Sequence, residues 1–249
     1  MYLCVNNKRI EKMKIAILGN GRMGQMITEL AEKAGHEVIL TIDKDNYSDI
    51  LDEDLKRADV AIEFSIPEVA VKDIKWCIRL GVPIVCGTTG WLDAWDEVVD
   101  YCKSNNGSFF YSSNYSIGVN IFFNLNNYRA KLMDKFPEYK IYLEETHHIH
   151  KLDKPSGTAI TIANDILQNH SGYDYWMLDK DKDRTIPIKS LRRGEVPGDH
   201  SVVYKSSVDE IKISHSAYNR KGFAMGAIKA AEFLYNKNGI FGMSDLLKI

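Results

Sequence analysis

The chain has 249 residues, 45% of them hydrophobic and 27% charged, with 32 Lys and Arg against 34 Asp and Glu for a formal net charge of -2. A chain of this length buries a core without disulfide or metal staples, and its charge balance lacks the basic excess of a dedicated nucleic-acid binder. The cysteines Cys4, Cys77, Cys86 and Cys102 form no C-x-x-C pair and no apolar run approaches the roughly 18 to 20 residues of a bilayer span, so a cytoplasmic protein with no nucleic-acid or membrane partner is expected.

Residues 1–12 carry Lys8, Arg9 and Lys12 but no apolar stretch, and read as an N-terminal extension rather than a secretory signal. The first organised run, Lys14 to Leu18, is a β-branched strand pattern that ends at Gly19-Asn20-Gly21-Arg22-Met23-Gly24. Met23, Met26, Ile27, Leu30 and Ala31 then follow at helical spacing up to Gly35. Glu37 to Ile42 predicts a second strand ending in Asp43-Lys44, and Val60 to Phe64 a third. Val69 to Leu80 predicts a helix, and Val82 to Cys86 a fourth strand ending in Gly87-Thr88-Thr89-Gly90. Strands alternating with helices predict a Rossmann-type parallel sheet with right-handed crossovers.

The rhythm changes after Tyr115. Ile117 to Met133 predicts a helix, Lys140 to His148 a strand, and Thr158 to Gln168 another helix. Ile186 to Leu191, His200 to Ser206 and Asp209 to Ser216 predict strands with no long helix between them, hence an inserted α+β domain with a mixed or antiparallel sheet. Phe223 to Asn236 is helical again. The expected organisation is a dinucleotide-binding domain of residues 13–115 and 221–249, and a second domain of residues 116–220.

Gly19-x-Gly21-x-x-Gly24 gains meaning from its place between a strand and a helix, with Asp43 closing the next strand. Gly19 permits the tight turn, Gly21 lets the backbone approach a pyrophosphate, and Gly24 lets helix and strand pack closely. The phosphates then meet unpaired N–H groups at a helix N-terminus. The Asp43 carboxylate pulls toward NADH, whereas Lys44 and Arg22 could neutralise the 2′-phosphate of NADPH, so either cofactor is open. Gly87, Thr88 and Thr89 lie on the same edge of the predicted sheet, where nicotinamide ribose or substrate would bind.

The densest chemistry runs from Glu144 to Ala159. His147, His148 and His150 could bind a metal, but neither zinc-ligand spacing nor a helical H-E-x-x-H is present, and Lys151 beside them favours an anion over a second cation. Lys154-Pro155-Ser156-Gly157-Thr158 predicts a loop entering a helix, capped by Ser156 or Thr158, whose free N–H groups suit a carboxylate. A proton donor, a fixed cation and an anion cradle thus lie in a row.

These residues resemble the dihydrodipicolinate reductase family. His147-His148-x-His150-Lys151-x-Asp153-x-Pro155-Ser156-Gly157-Thr158-Ala159 looks like that family's signature, and Gly21-Arg22-Met23-Gly24, Gly87 to Gly90, Asn114 to Asn120, Arg193-Gly194 and Gly198-Asp199-His200 fall in the family's order. The resemblance implies NADH- or NADPH-dependent reduction of 4-hydroxy-tetrahydrodipicolinate in lysine and diaminopimelate biosynthesis. It implies His147 and Lys151 as proton donors, and His148, Gly157 and Thr158 as contacts to the dicarboxylate. It further implies that Gly19, Asn20, Gly21, Arg22, Met23, Gly24, Asp43, Lys44, Gly87, Thr88, Thr89, Ser112, Ser113, Asn114 and Tyr115 line the cofactor site, that no metal takes part, and that the second domain builds a homotetramer. Ile149 departs from the family, where Arg is frequent.

Overall fold

The computed structural model describes residues 11–249. Cys4 and residues 1–10 of the expected N-terminal extension lie outside the described residues. The chain divides into two compact units, one running up to Ser116 and resuming at Phe223–Ile249, the other Ile117–Gly222.

In the first unit, β1 (Lys14–Leu18) leads into α1 (Arg22–Lys33), β2 (Glu37–Ile42), the short α2 (Asp52–Leu55), β3 (Val60–Glu63), α3 (Pro67–Arg79), β4 (Ile84–Cys86), α4 (Trp95–Ser104) and β5 (Ser108–Tyr111). Ile15 to Leu18 and all of β3 and β4 are buried, as strands covered on both faces must be. Pro67 opens α3, where its missing N–H costs nothing and its fixed φ suits a first helical turn.

The second unit holds α5 (Ile117–Met133), β6 (Lys140–His147), α6 (Gly157–Asn169), β7 (Tyr175–Leu178), β8 (Thr185–Arg192), β9 (Gly198–Lys205) and β10 (Glu210–Ala217). Its five-stranded sheet has the order β10-β9-β6-β8-β7. It is mixed: β6 runs antiparallel to β9 and parallel to β8. Ile141 and Leu143 of β6, Ile186 and Ile188 of β8, and Val202 and Tyr204 of β9 form its core with Phe122 of α5 and Ile162 and Ile166 of α6.

The chain returns through α7 (Lys221–Leu234), β11 (Gly239–Phe241) and α8 (Met243–Leu247). β11 joins β5 in parallel and completes a six-stranded sheet of order β11-β5-β4-β3-β1-β2. All its pairings are parallel. This is the Rossmann arrangement: the order reverses at β1, and the crevice beyond the strands' carboxyl ends is where ligands bind. One face packs on α1 and on Ala224, Ala227, Ala230, Ala231 and Leu234 of α7. The approach is close at Gly226, where a Cβ would fall 1.8 Å from the carbonyl oxygen of Tyr115.

Candidate active site

The first unit carries a cleft shaped by the glycine turn. Gly19 has φ of +98°, and a Cβ there would lie 2.2 Å from the carbonyl oxygen of Phe64. A Cβ on Gly24 would lie 1.9 Å from the carbonyl oxygen of Gly19, which fixes how closely α1 seats on the turn. Gly21 is different: a Cβ there meets nothing within 4 Å, so its backbone faces open space. No side chain caps α1 and its first turn holds no acid, leaving its N–H groups and positive dipole end for an anion.

Two openings share Gly21. The larger, about 560 Å³, is walled by Gly19, Asn20, Asp43 and Lys44, together with Tyr47 and Lys72. One Asp43 oxygen accepts the Asp45 N–H at 2.9 Å and the other accepts the Asn20 amide at 3.4 Å. The smaller, about 380 Å³, is walled by Arg22, Met23, Gly87, Thr88 and Thr89, with Ser65. Arg22 therefore lines a different opening from Lys44, and the second cation that walls Asp43's opening is Lys72, its ammonium 4.3 Å from the centre of the Tyr47 ring, which the sequence did not single out.

Under the smaller opening lies Glu63, fully buried. Its carboxylate accepts the Thr88 hydroxyl at 2.7 Å, the Ser65 N–H at 2.8 Å, the Ser65 hydroxyl and the Cys86 thiol at 2.9 Å. Burial and the neighbouring Glu63 charge push the Cys86 thiol up. Ser112, Ser113, Asn114 and Tyr115 follow β5 on the same sheet edge but wall neither opening. The Ser112 hydroxyl donates to the Asn114 carbonyl at 2.8 Å. The Tyr115 side chain is a core element, 2% exposed, and its hydroxyl donates to the Cys86 carbonyl at 2.6 Å. The Tyr115 ring therefore serves the core, and only its backbone lies at the sheet edge where the cofactor is expected.

The second unit carries the histidine–lysine segment. His147 closes β6 and is buried, His148 is half-buried, and His150 is exposed with Nε2 3.2 Å from Glu195. The histidine run is therefore split rather than gathered. Lys151 pairs with Asp153 at 2.8 Å. The Lys151 charge outweighs burial and holds the Asp153 carboxyl below its usual range. The Ser156 hydroxyl caps α6 by accepting the Ala159 N–H at 3.2 Å. Gly157 is exposed and a Cβ there meets nothing within 4 Å, so the start of α6, with Thr158 beside it, is open to an anion.

Behind His147 lies Glu145, 1% exposed. Both its oxygens accept the Ser156 N–H at 3.1 Å, and Oε1 also accepts the Ser190 hydroxyl and an Arg192 N–H at 3.4 Å. Its Oε2 lies 3.4 Å from His147 Nδ1 and 3.7 Å from His200 Nε2. Burial opposes ionisation of Glu145, but the Ser156 and Ser190 hydrogen bonds and the His147 charge outweigh it, so its pKa is lowered. Burial lowers the His147 pKa against the pull of Glu145, and burial lowers that of His200 to about 3. Glu145, His147 and His200 place donor atoms within 4.8 Å of one another. That triad suits a cation by spacing alone, yet Arg192 already occupies the carboxylate and Lys151 adds a second positive charge. Glu145, Ser190, Arg192 and His200 were not expected as functional residues. A charged residue in an alternating strand reads as solvent-facing, and nothing local marks it otherwise.

Comparison with known proteins places both units in one family. Residues 13–115 match the model for the N-terminus of dihydrodipicolinate reductase, and residues 118–247 the model for its C-terminus. A 4-hydroxy-tetrahydrodipicolinate reductase of Christiangramia forsetii is 46% identical over 237 residues, 94% of this chain and 98% of the relative. One from Thermosipho africanus is 34% identical over 238 residues, 95% and 98% respectively. The solved structure of a dipicolinate-bound dihydrodipicolinate reductase from Paenisporosarcina sp. TG-14 superposes with a TM-score of 0.76 at 20% identity, covering 94% of this chain and 99% of that one, and so shares the fold. With the glycine turn at the reversal point of one sheet and His147, Lys151 and the open α6 N-terminus in the other unit, the chain belongs to the dihydrodipicolinate reductase family of NAD(P)H-dependent oxidoreductases.

Proposed function

We propose that this chain reduces 4-hydroxy-tetrahydrodipicolinate to tetrahydrodipicolinate, adding one hydride and one proton and losing water, with His147 and Lys151 as the proton donors. The observation that carries the reading is the grouping of His147, the Lys151–Asp153 pair and the free N-terminus of α6 within one unit. The nicotinamide cofactor, when bound, supplies the hydride. The open backbone at Gly21 and the free first turn of α1 suit its pyrophosphate, and Asp43 suits its ribose hydroxyls.

The residues of the second unit divide the remaining work. The N–H groups of Gly157 and Thr158 hold one substrate carboxylate at the positive end of α6. Lys151 and His148 face the other. Asp153 holds Lys151 in place at 2.8 Å, and His147 stands as an imidazole whose protonated form is a stronger acid than usual because burial disfavours it. Steady-state kinetics with the hydroxylated imine and each cofactor test the reaction. Single-turnover rates of His147→Gln and Lys151→Ala test the donors. Near-normal rates with unchanged substrate binding in both variants refute the assignment.

We further place the chain in the cytoplasm and in an assembly of several copies. Cys77, Cys86 and Cys102 are free and buried, which suits the reducing cytoplasm. Along α5, Ile121, Leu125, Tyr128 and Leu132 form a helical stripe between 44% and 63% exposed. A continuous apolar stripe of this kind supports self-association, and we take the assembly to be a homotetramer built by the second unit. Light scattering tests it: Leu125→Glu with Tyr128→Glu is expected to lower the assembled mass, and an unchanged mass removes the stripe from the interface.

A further inference from the structure

His147 and Glu145 are two residues apart on β6 and so share one face of the strand. His147 Nδ1 is buried and has no hydrogen-bond partner nearer than Glu145 Oε2 at 3.4 Å. The other ring nitrogen, Nε2, faces Gly198, where a Cβ would stand only 3.1 Å away. Glycine there leaves Nε2 uncovered from β9. The second Glu145 oxygen is held by Ser190 and Arg192. Arg192 in turn donates through Nε to the Lys151 carbonyl at 3.1 Å and through Nη2 to the Asp153 carbonyl. The Ser156 N–H, at the start of α6, closes the ring of donors. One buried carboxylate therefore touches the imidazole, the α6 cap and the arginine that fastens the Lys151 loop.

We propose that Glu145 is the positioning residue for His147: its Oε2 takes the Nδ1–H and so fixes the tautomer in which Nε2 is the atom that exchanges the proton, while its bonds to Ser156 and Arg192 hold that imidazole in register with Lys151 and the α6 N-terminus. The inference rests on the reading of His147 as a proton donor. A carboxylate orienting an imidazole through Nδ1 is a general device of acid–base sites, because it sets the tautomer and favours the imidazolium. The charged and titratable groups facing His147 are Glu145 on its own strand, Lys151 and Asp153 from the following loop, Arg192 from β8 and His200 from β9 at a ring distance of 5.0 Å. His215 of β10 lies beyond His200. Of these, Glu145 is the main group favouring the charged imidazole, and Lys151 and Arg192 oppose it.

The test is Glu145→Gln in the full-length enzyme, alongside Glu145→Asp and His147→Gln. Gln keeps an acceptor for Ser190 and Arg192 but removes the charge. The expected result is a fall in kcat of about 10- to 1000-fold, in the range of acid–base contributions, with the limb of the pH profile that His147→Gln abolishes moved to lower pH. KM should change far less, and Glu145→Asp should restore part of kcat. Wild-type kcat and an unmoved limb in Glu145→Gln overturn the proposal. Full activity in His147→Gln instead refutes the donor assignment on which it rests. Should the Gln variant fail to fold, nitrogen-15 histidine spectra of the wild-type enzyme decide: neutral His147 is expected to carry its proton on Nδ1, and a proton on Nε2 overturns the proposal. Activity lost to a chelator and restored by zinc would make Glu145 a metal ligand and overturn it as well.

Discussion

The Thr88 hydroxyl donates to the carboxylate of Glu63 at 2.7 Å, tying the loop after β4 to the end of β3 beneath the smaller opening. Glu63 is fully buried and its near neighbours are neutral donors, so each hydrogen bond replaces water that the charge has lost. Removing one leaves a buried carboxylate under-solvated at a cost of about 1–3 kcal/mol. Thr88→Val, which keeps the shape, is expected to lower Tm by a few degrees and to raise the cofactor KM, while Thr88→Ser restores both. Thermal melts and cofactor titrations check this, and a Val variant with wild-type Tm and KM shows that Glu63 does not need the bond.

The glycine turn separates two roles that the motif alone runs together. Gly24→Ala drives a Cβ to 1.9 Å from the Gly19 carbonyl oxygen, a contact relieved only by moving backbone. A loss of several kcal/mol or insoluble protein is expected, in the upper range for overpacking. Gly21→Ala meets no atom within 4 Å, so the folded chain should keep its stability within about 1 kcal/mol of wild type. If the pyrophosphate binds at this turn as proposed, the methyl group would stand in its way, and cofactor affinity should fall about tenfold or more. Equal melting temperatures for the two variants would contradict the packing at Gly24.

The family and the two-unit fold are legible in the sequence, because the motifs that mark them lie in contiguous runs. The turn from Gly19 to Gly24, Asp43 after β2, and the segment from His147 to Thr158 each carry local spacing that names a role. What the sequence hid falls into two kinds. The strands β5, β7 and β11 are as short as β3 and β4 but lack the β-branched run that marks those two, and no signal marked α4. The supporting residues Glu145, Ser190, Arg192 and His200 come from three strands of one sheet, and only their pairing makes them neighbours. Lys72 on α3 is exposed in the fold as in the sequence, and only the fold shows that it walls the same opening as Asp43. Tyr115 has a second place in the fold that the sequence did not show: its ring belongs to the core.

Cofactor choice should turn on Asp43, Lys44 and Lys72, which wall the same opening, and not on Arg22, which walls the other. A carboxylate facing the ribose repels a 2′-phosphate, whereas the two lysines attract it. Asp43→Ala is expected to shift the NADPH to NADH ratio of kcat/KM upward by about tenfold, equal to about 1.4 kcal/mol. Lys72→Ala should shift it downward and leave NADH use nearly unchanged. Arg22→Ala should weaken both cofactors alike. A ratio that moves with Arg22 and not with Lys72 would place the discriminating contact in the smaller opening.

Asp73 gives the fold a pH dependence that can be isolated. It is buried, and burial raises its pKa from 3.8 to about 6, although its Oδ1 accepts the Tyr47 hydroxyl at 2.7 Å. The folded state thus holds a proton that the unfolded chain releases at lower pH. The stability this confers is complete below about pH 3.8 and is lost as pH rises through about 6. Its full size is up to about 3 kcal/mol, at about 1.4 kcal/mol per pKa unit. Asp73→Asn keeps an acceptor for Tyr47 and carries no charge at any pH. The variant should therefore be more stable than wild type at pH 8 by about 2–3 kcal/mol, with the advantage shrinking through pH 6 and vanishing near pH 4. His147 and His200, whose pKa values are lowered, work in the other direction and destabilise the fold as pH falls below about 6.5. They are the same in both chains, so the difference curve from urea unfolding between pH 4 and 8 reports Asp73 alone. A flat difference curve would mean that the Asp73 carboxyl titrates in the folded protein as it does in the unfolded chain.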